Sequence, residues 1–271
     1  MQKQLERLDL LLVKSGKVPS REKARQLIMS GNVVINNTII DKPGKQVPSD
    51  SVIIINQQYC PYVSRGGLKL EKAIKHFGID LKGKIAIDVG ASTGGFTDCL
   101  LQHGASFVYA VDVGYGQLDW KLRNDNRVFI LERTNIRYVK PELFNNKADI
   151  VTIDVSFISL SKVLPAIIPL MREYGQIIAL IKPQFEAGRK YVCKGGVVKD
   201  PIIHQKVIKS VIETSLSLGL SVKGITFSPI KGPSGNIEYF ILLDKGSQVC
   251  ECSLDDDTIN EVISEAHEVL A

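Results

Sequence analysis

From residue 85 onward, short apolar blocks alternate with longer stretches in which apolar residues recur at helical spacing. The blocks at 85–89, 107–111, 128–131, 150–155, 176–181, 222–227 and 237–243 are rich in Val, Ile and aromatic residues, which predicts buried strands. Between them, 96–103, 162–172 and 202–218 predict helices. Strands alternating with helices call for a doubly wound α/β sheet. No helix-length segment separates the last two blocks, so those two strands should pair antiparallel.

The first sixty residues follow another pattern. Leu8, Leu11, Leu12 and Ser15 recur at helical spacing, and Pro19-Ser20 ends that run. Ser20 is placed to cap a second helix that carries Ala24, Leu27 and Ile28 on one face and stops at Gly31. Segments 33–35, 38–40 and 52–55 predict short strands, with Asn36-Asn37 as a turn and Pro43, Gly44 and Pro48 marking a loop. The expected division is 1–62 as a small α+β domain, 63–249 as the α/β domain and 250–271 as an acidic C-terminal helix or tail.

With 271 residues, 44% hydrophobic and 23% charged, the chain can bury a real core, and a disordered chain is excluded. No apolar run approaches the roughly 20 residues of a membrane crossing, and Glu6, Arg7 and Asp9 stand where a secretion signal needs apolar residues. The expectation is a cytoplasmic protein with no membrane partner. Five cysteines without a CxxC pair argue for reduced thiols and no metal site. The net charge of +5 is uneven: residues 1–62 carry +4 and residues 250–271 carry −7. A basic body suggests a polyanionic partner.

The segment Asp88-Val89-Gly90-Ala91-Ser92-Thr93-Gly94-Gly95-Phe96 joins the first strand of the α/β region to its helix. Glycines allow positive φ and let a ligand lie against backbone, and the helix start behind them favours an anion. In a dinucleotide fingerprint a second glycine makes room for pyrophosphate; here Ser92 stands in its place. The spacing suits a ligand without pyrophosphate, such as S-adenosylmethionine. Asp112, closing the second strand, is placed to bind ribose hydroxyls, and Asn135, after the third, to approach the adenine.

These residues resemble the TlyA family of S-adenosylmethionine-dependent ribosomal RNA 2′-O-methyltransferases, whose catalytic domain is similar to FtsJ. Arg7-Leu-Asp9, Ser20-Arg21-Glu-Lys-Ala24 and Gly31-Asn-Val-Val-Ile-Asn36 resemble the S4-like RNA-binding domain. Val63-Ser-Arg-Gly-Gly-Leu-Lys69-Leu, the glycine turn, Thr152-Ile-Asp154-Val-Ser-Phe-Ile-Ser-Leu160, Leu180-Ile-Lys182-Pro-Gln-Phe-Glu186 and Gly235-Asn-Ile-Glu238 resemble the methyltransferase part. The resemblance implies a Rossmann-like methyltransferase with a mainly parallel seven-stranded sheet and a small N-terminal α+β domain. It implies methyl transfer to a cytidine of 16S or 23S rRNA, or both, by a monomer acting on ribosomal subunits. The helix expected at 252–271 suits members that act on both. The FtsJ-like Lys-Asp-Lys-Glu set falls on Lys69, Asp154, Lys182 and Glu238, with Asp154 also near the donor methyl. Phe96 stands where FtsJ has a tryptophan.

A ribose 2′-hydroxyl is a weak acid and a poor nucleophile. A lysine can take its proton only if its pKa falls from about 10.4, and burial or a second cation lowers it. Lys182, closing an apolar strand, is the expected base, with Lys69 as second cation, Asp154 orienting Lys182 and Glu238 fixing a lysine or the hydroxyl. Arg7, Arg21, Lys23 and Arg25 on the small domain are expected to contact phosphates, and Arg65 and Arg133 to line the RNA path. Ser156 and Ser159 read as turn and capping residues. His76, His103, His204 and His267 are scattered along the chain, and none is assigned to chemistry. Two rival readings are an RNA-binding protein with an inactive methyltransferase fold and a pore-forming hemolysin.

Overall fold

The computed structural model describes residues 5–29, 31–36, 38–55, 60–246 and 250–270, and the chain divides into two units, Met1–Leu68 and Lys69–Ala271. In the first, β1 (Leu5–Arg7), α1 (Leu8–Lys14) and α2 (Arg21–Met29) precede β2 (Val33–Ile35), β3 (Thr38–Ile39), β4 (Gln46–Pro48) and β5 (Ile53–Ile55). Strands β3, β2 and β5 make an antiparallel sheet, and β1 pairs with β4. Leu8, Leu12, Ala24 and Ile28, spaced for single helix faces, bury against Val33, Ile35 and Ile53. Ser20 caps α2 as expected, its Oγ accepting from the Lys23 backbone N–H at 3.1 Å. Asn36 takes φ +49°, as a turn residue does; Asn37, its expected partner, lies outside the described residues.

The helix α3 (Gly66–Phe77) starts before the division and runs into the second unit. Sequence pattern did not reveal it, because Gly66-Gly67 at its head argues against a helix. Glycine is needed at 67, where a Cβ would overlap the ring of Tyr62. The second unit continues with β6 (Ile85–Val89), α4 (Gly95–Gln102), β7 (Phe107–Val111), α5 (Trp120–Arg123), β8 (Val128–Leu131), β9 (Ala148–Ile153), α6 (Leu164–Ile167), β10 (Met171–Ile181), α7 (Pro183–Glu186), α8 (Pro201–Ser217), β11 (Leu220–Phe227), β12 (Tyr239–Lys245) and α9 (Asp256–Val269).

Its seven strands lie in the order β11-β12-β10-β9-β6-β7-β8, parallel except for β12, which runs against both neighbours. The expected antiparallel closing pair is therefore present. The chain steps from β6 outward through β7 to β8, then returns to place β9 on the other side of β6. Ligands gather at the carboxyl ends of strands on either side of such a reversal.

One expectation needs correction. The helix over 162–172 is broken: only α6 is α-helical, between 3₁₀ turns at Leu160–Lys162 and Ile168–Leu170, and β10 already begins at Met171. Pro165 and Pro169 remove backbone donors there. By its internal contacts the chain divides after Leu68, and residues 250–270 belong to the second unit. Amphipathic α9 buries Ile259, Ile263 and Ala266 in the core shared with the large sheet.

Candidate active site

Four parallel strands end close together at one edge. Beyond β6, Gly90 takes φ +87°, and a Cβ there would collide with the backbone oxygen of Asp154 beyond β9. Only glycine lets the turn lie this close. The backbone N–H groups of Gly90 and Ala91 donate to Val111 O at 2.8 and 3.1 Å. Asp112, beyond β7, accepts from Ser92 N on Oδ2 at 2.8 Å and from Gly114 N on Oδ1 at 2.6 Å. Its carboxylate is thereby fixed to the glycine turn, with lone pairs left over.

Asp88 lies behind this turn. It has no exposed surface and accepts from Thr97 Oγ1 on α4 at 2.7 Å and from Thr152 Oγ1 on β9 at 3.1 Å. Burial pushes its pKa up to about 7, against the pull of the two hydroxyls. It ties α4 and β9 to β6 and stands behind the lining of the cavity described next. Because the folded state holds this proton more tightly than the unfolded one, Asp88 makes stability fall as pH rises from about 4 to about 7. Asp88→Asn should flatten that part of the curve, measured by thermal melting across the range.

A cavity of about 690 Å³ opens at the edge, lined by Gly90, Ser92, Asp112, Asn135 and Asp154 among the expected residues. Asn135 also caps a short 3₁₀ turn, accepting from Arg137 N at 3.2 Å. Ala91, Thr93, Gly94, Gly95 and Phe96 are absent from the lining. They shape the turn from behind, and Phe96 is buried, its ring centroid 6.1 Å from that of Phe240. The opposite wall includes Ser156, Phe157 and Phe185, to which sequence reasoning gave no ligand role. Phe157 is 91% exposed at φ +64°, its ring centroid 5.0 Å from that of Phe185. In the sequence it stands with Ile158 between Ser156 and Ser159 and belongs to no motif of its own, so only its exposure marks it. Ser159 caps as expected, accepting from Ser161 N at 3.2 Å.

Four ionisable side chains cluster about Asp154, the one of them that lines the cavity. Lys69, in the first turns of α3, donates from Nζ to Glu238 Oε2 at 2.5 Å. Lys182, just past β10, has Nζ 2.6 Å from Asp154 Oδ1 and donates to Ser156 Oγ at 3.1 Å. Both lysines and Glu238 are buried. Burial pushes the Asp154 carboxyl up, but the ammonium groups of Lys182 and Lys69 outweigh it and hold the group below the usual carboxylate range. Since Lys69 acts on Asp154 as well as on Glu238, the two ion pairs form one cluster. Glu238 Oε1 is buried and takes no hydrogen bond among the described residues.

The basic residues expected to meet RNA are placed as follows. Arg7 grips Asp9 with Nε and Nη2, both at 3.0 Å, and Arg21 Nε donates to the same carboxylate at 2.9 Å. Asp9 has no exposed surface; burial pushes its pKa up, and the two arginines bring it below the ordinary value. Lys23 and Arg25 are exposed on α2. Arg65, in the first unit, is half-buried over Gly31. Arg133, in the second, is exposed, its guanidinium 4.2 Å from the Tyr115 ring centroid.

Residues 62–245 match the model of the FtsJ-like methyltransferases, and residues 6–53 match the S4 domain. The chain belongs to the FtsJ-like methyltransferase family. The resemblance to TlyA is borne out with it: the 16S/23S rRNA (cytidine-2′-O)-methyltransferase TlyA of Mycobacterium tuberculosis is 44% identical over 88% of this chain and 89% of its own. YqxC of Bacillus subtilis, described as a candidate rRNA methyltransferase, is 49% identical over 98% of this chain and 95% of its own. Hemolysin A of Brachyspira hyodysenteriae is 45% identical over 86% of this chain and 97% of its own. A solved structure described as a candidate hemolysin from Streptococcus thermophilus superposes with TM-score 0.79 at 44% identity, covering 99% of this chain and 98% of its own. Among the described residues, no helix is long and apolar enough to cross a membrane.

Proposed function

We propose that this FtsJ-like enzyme transfers a methyl group from S-adenosylmethionine to the ribose 2′-hydroxyl of a cytidine in ribosomal RNA, in 16S, 23S or both, acting in the cytoplasm as a monomer on ribosomal subunits. The observation that carries the reading is the convergence of buried Lys69, Lys182 and Glu238 on Asp154, which lines the cavity. Relatives named for this reaction, and the S4 match, support it.

The cavity suits the donor. It has nucleoside-scale volume, a carboxylate prefixed by Ser92 N and Gly114 N for two ribose hydroxyls, and Asn135 on the same wall for a base edge. When bound, S-adenosylmethionine supplies a methyl on a positively charged sulfur. The remaining work falls to the chain. Asp154 aims Lys182 Nζ, Lys182 takes the hydroxyl proton in its neutral form, having first lost its own proton to solvent, and Lys69 places a second positive charge beside Asp154. Glu238 is fixed on Lys69 through Oε2 and so holds that charge in place.

Methyl transfer to isolated subunits tests the reading, with mapping of 2′-O-methyls in rRNA from cells with and without the gene. Subunit binding without transfer would leave an RNA-binding protein with an inactive fold. Asp112→Ala should weaken S-adenosylmethionine binding by about 10–100-fold, the cost of losing a charged acceptor. Unchanged affinity by calorimetry would remove this part of the site assignment.

A further inference from the structure

Two histidines far apart in sequence meet behind the site. His204, in the first turn of α8, is fully buried. Its Nε2 lies 2.9 Å from the backbone oxygen of Val198, which can only accept, so Nε2 carries the proton. Nδ1 is then an acceptor, and two groups reach it: the Tyr239 hydroxyl at 2.8 Å and His267 Nε2, from α9, at 3.1 Å. Burial holds both imidazoles below the ordinary histidine range, so the neutral form these bonds require prevails at neutral pH.

Both arms of His204 lead to Glu238. Val198 N donates to Asn236 Oδ1 at 2.9 Å, and Asn236 Nδ2 donates to Gly196 O at 2.8 Å. Asn236 is itself buried. Tyr239 follows Glu238 directly and pairs across the sheet with Ile181, the residue before Lys182. Glu238 precedes β12, and its backbone oxygen accepts from Ser228 N at 2.8 Å. The short stretch 236–239 is thus pinned at each end, and both pins converge on one imidazole.

We infer that His204 is a positioning residue that holds Glu238 on Lys69, and that α9 takes part through His267. The inference rests on the reading of Glu238 as part of the catalytic cluster. A side chain in a short loop keeps its aim only if the backbone on both sides is fixed, and a catalytic group displaced by a fraction of an ångström loses rate.

The test uses full-length protein with His204→Leu, His204→Gln and His204→Asn. Leucine removes both arms, glutamine keeps a donor toward Val198, and asparagine keeps an acceptor toward Tyr239 and His267. His204→Leu should lower kcat on unmodified ribosomal subunits by about tenfold or more. Glutamine and asparagine should each recover part of the loss, and affinity for S-adenosylmethionine should stay as in the wild type. In protein carrying ¹³C at glutamate Cδ, the Glu238 signal should move in His204→Leu while signals of the exposed Glu22 and Glu268 stay. Should His204→Leu not fold, Tyr239→Phe combined with His267→Phe strips both donors from Nδ1, and the same two readouts apply. An unmoved Glu238 signal, or a loss spread equally over cofactor binding and kcat, would overturn the positioning role. A moved Glu238 signal in a protein whose wild type transfers no methyl would instead sink the functional reading and leave the positioning in place.

Discussion

Lys182→Ala should lower the single-turnover rate of methyl transfer by about 10²–10⁴-fold, the usual worth of a positioned acid–base group. Binding of S-adenosylmethionine and of ribosomal subunits should change far less, because Lys182 is buried against Asp154 and Ser156. The more telling variant is Lys182→Arg. A guanidinium can restore the charge beside Asp154 but stays protonated, so it cannot take a proton from the ribose. If Lys182 is the base, the arginine variant is as slow as the alanine one, and the wild-type rate rises with pH. If Lys182 only steers the ribose as a fixed cation, arginine keeps a substantial part of the activity with an unchanged pH profile. Single-turnover transfer at several pH values, for wild type and both variants, decides between them. The second outcome would remove the general-base assignment and keep the methyltransferase one.

Much of this site was legible because its parts obey local rules. The strands ending at Val89, Val111, Ile153 and Ile181 are short apolar blocks, and a doubly wound sheet brings such strand ends to one edge. Asp112, Asp154 and Lys182 all follow such blocks, so their convergence was readable from pattern and topology. Lys69 and Glu238 were readable only through family resemblance. Lys69 rides on a helix that two glycines conceal, and Glu238 sits in a loop with no period. Asp88 shows a different limit. Its position in the glycine motif suggests a ligand contact, yet its side chain points behind the turn to two threonines. A strand alternates its faces, and sequence alone does not say which face is the cavity. The His204 cluster was not readable at all, since its members lie on α8, β12 and α9 and meet only through tertiary packing.

The S4-like unit should bind RNA phosphates through two kinds of cation, and their variants should behave differently. Lys23 and Arg25 are exposed on α2, with no buried carboxylate partner among the described residues. Replacing both with alanine should flatten the dependence of log affinity on log salt by about 1.4–1.8, at 0.7–0.9 per phosphate contact, and leave the melting temperature unchanged. Arg7 and Arg21 are instead prefixed by Asp9. Removing either should flatten the slope by about 0.7–0.9 and also destabilise the fold, because a carboxylate with no exposed surface loses one of its two guanidinium partners. The pH dependence identifies the cause. Asp9 has a folded pKa below its unfolded value, so its stabilisation is present above about pH 4 and is lost as pH falls through the folded value. Arg7→Ala should therefore lose stability relative to wild type at neutral pH, and the gap should close in acid. Replacing all four cations should weaken subunit binding by at least about 10²-fold at low salt, with cofactor affinity intact. Filter binding over a salt series, beside melting curves from pH 3 to 7, measures both effects. A salt slope unmoved in the Lys23 and Arg25 variant would show that the α2 face does not meet phosphates, while a gap in Arg7→Ala that persists in acid would show that Asp9 is not what its loss exposes.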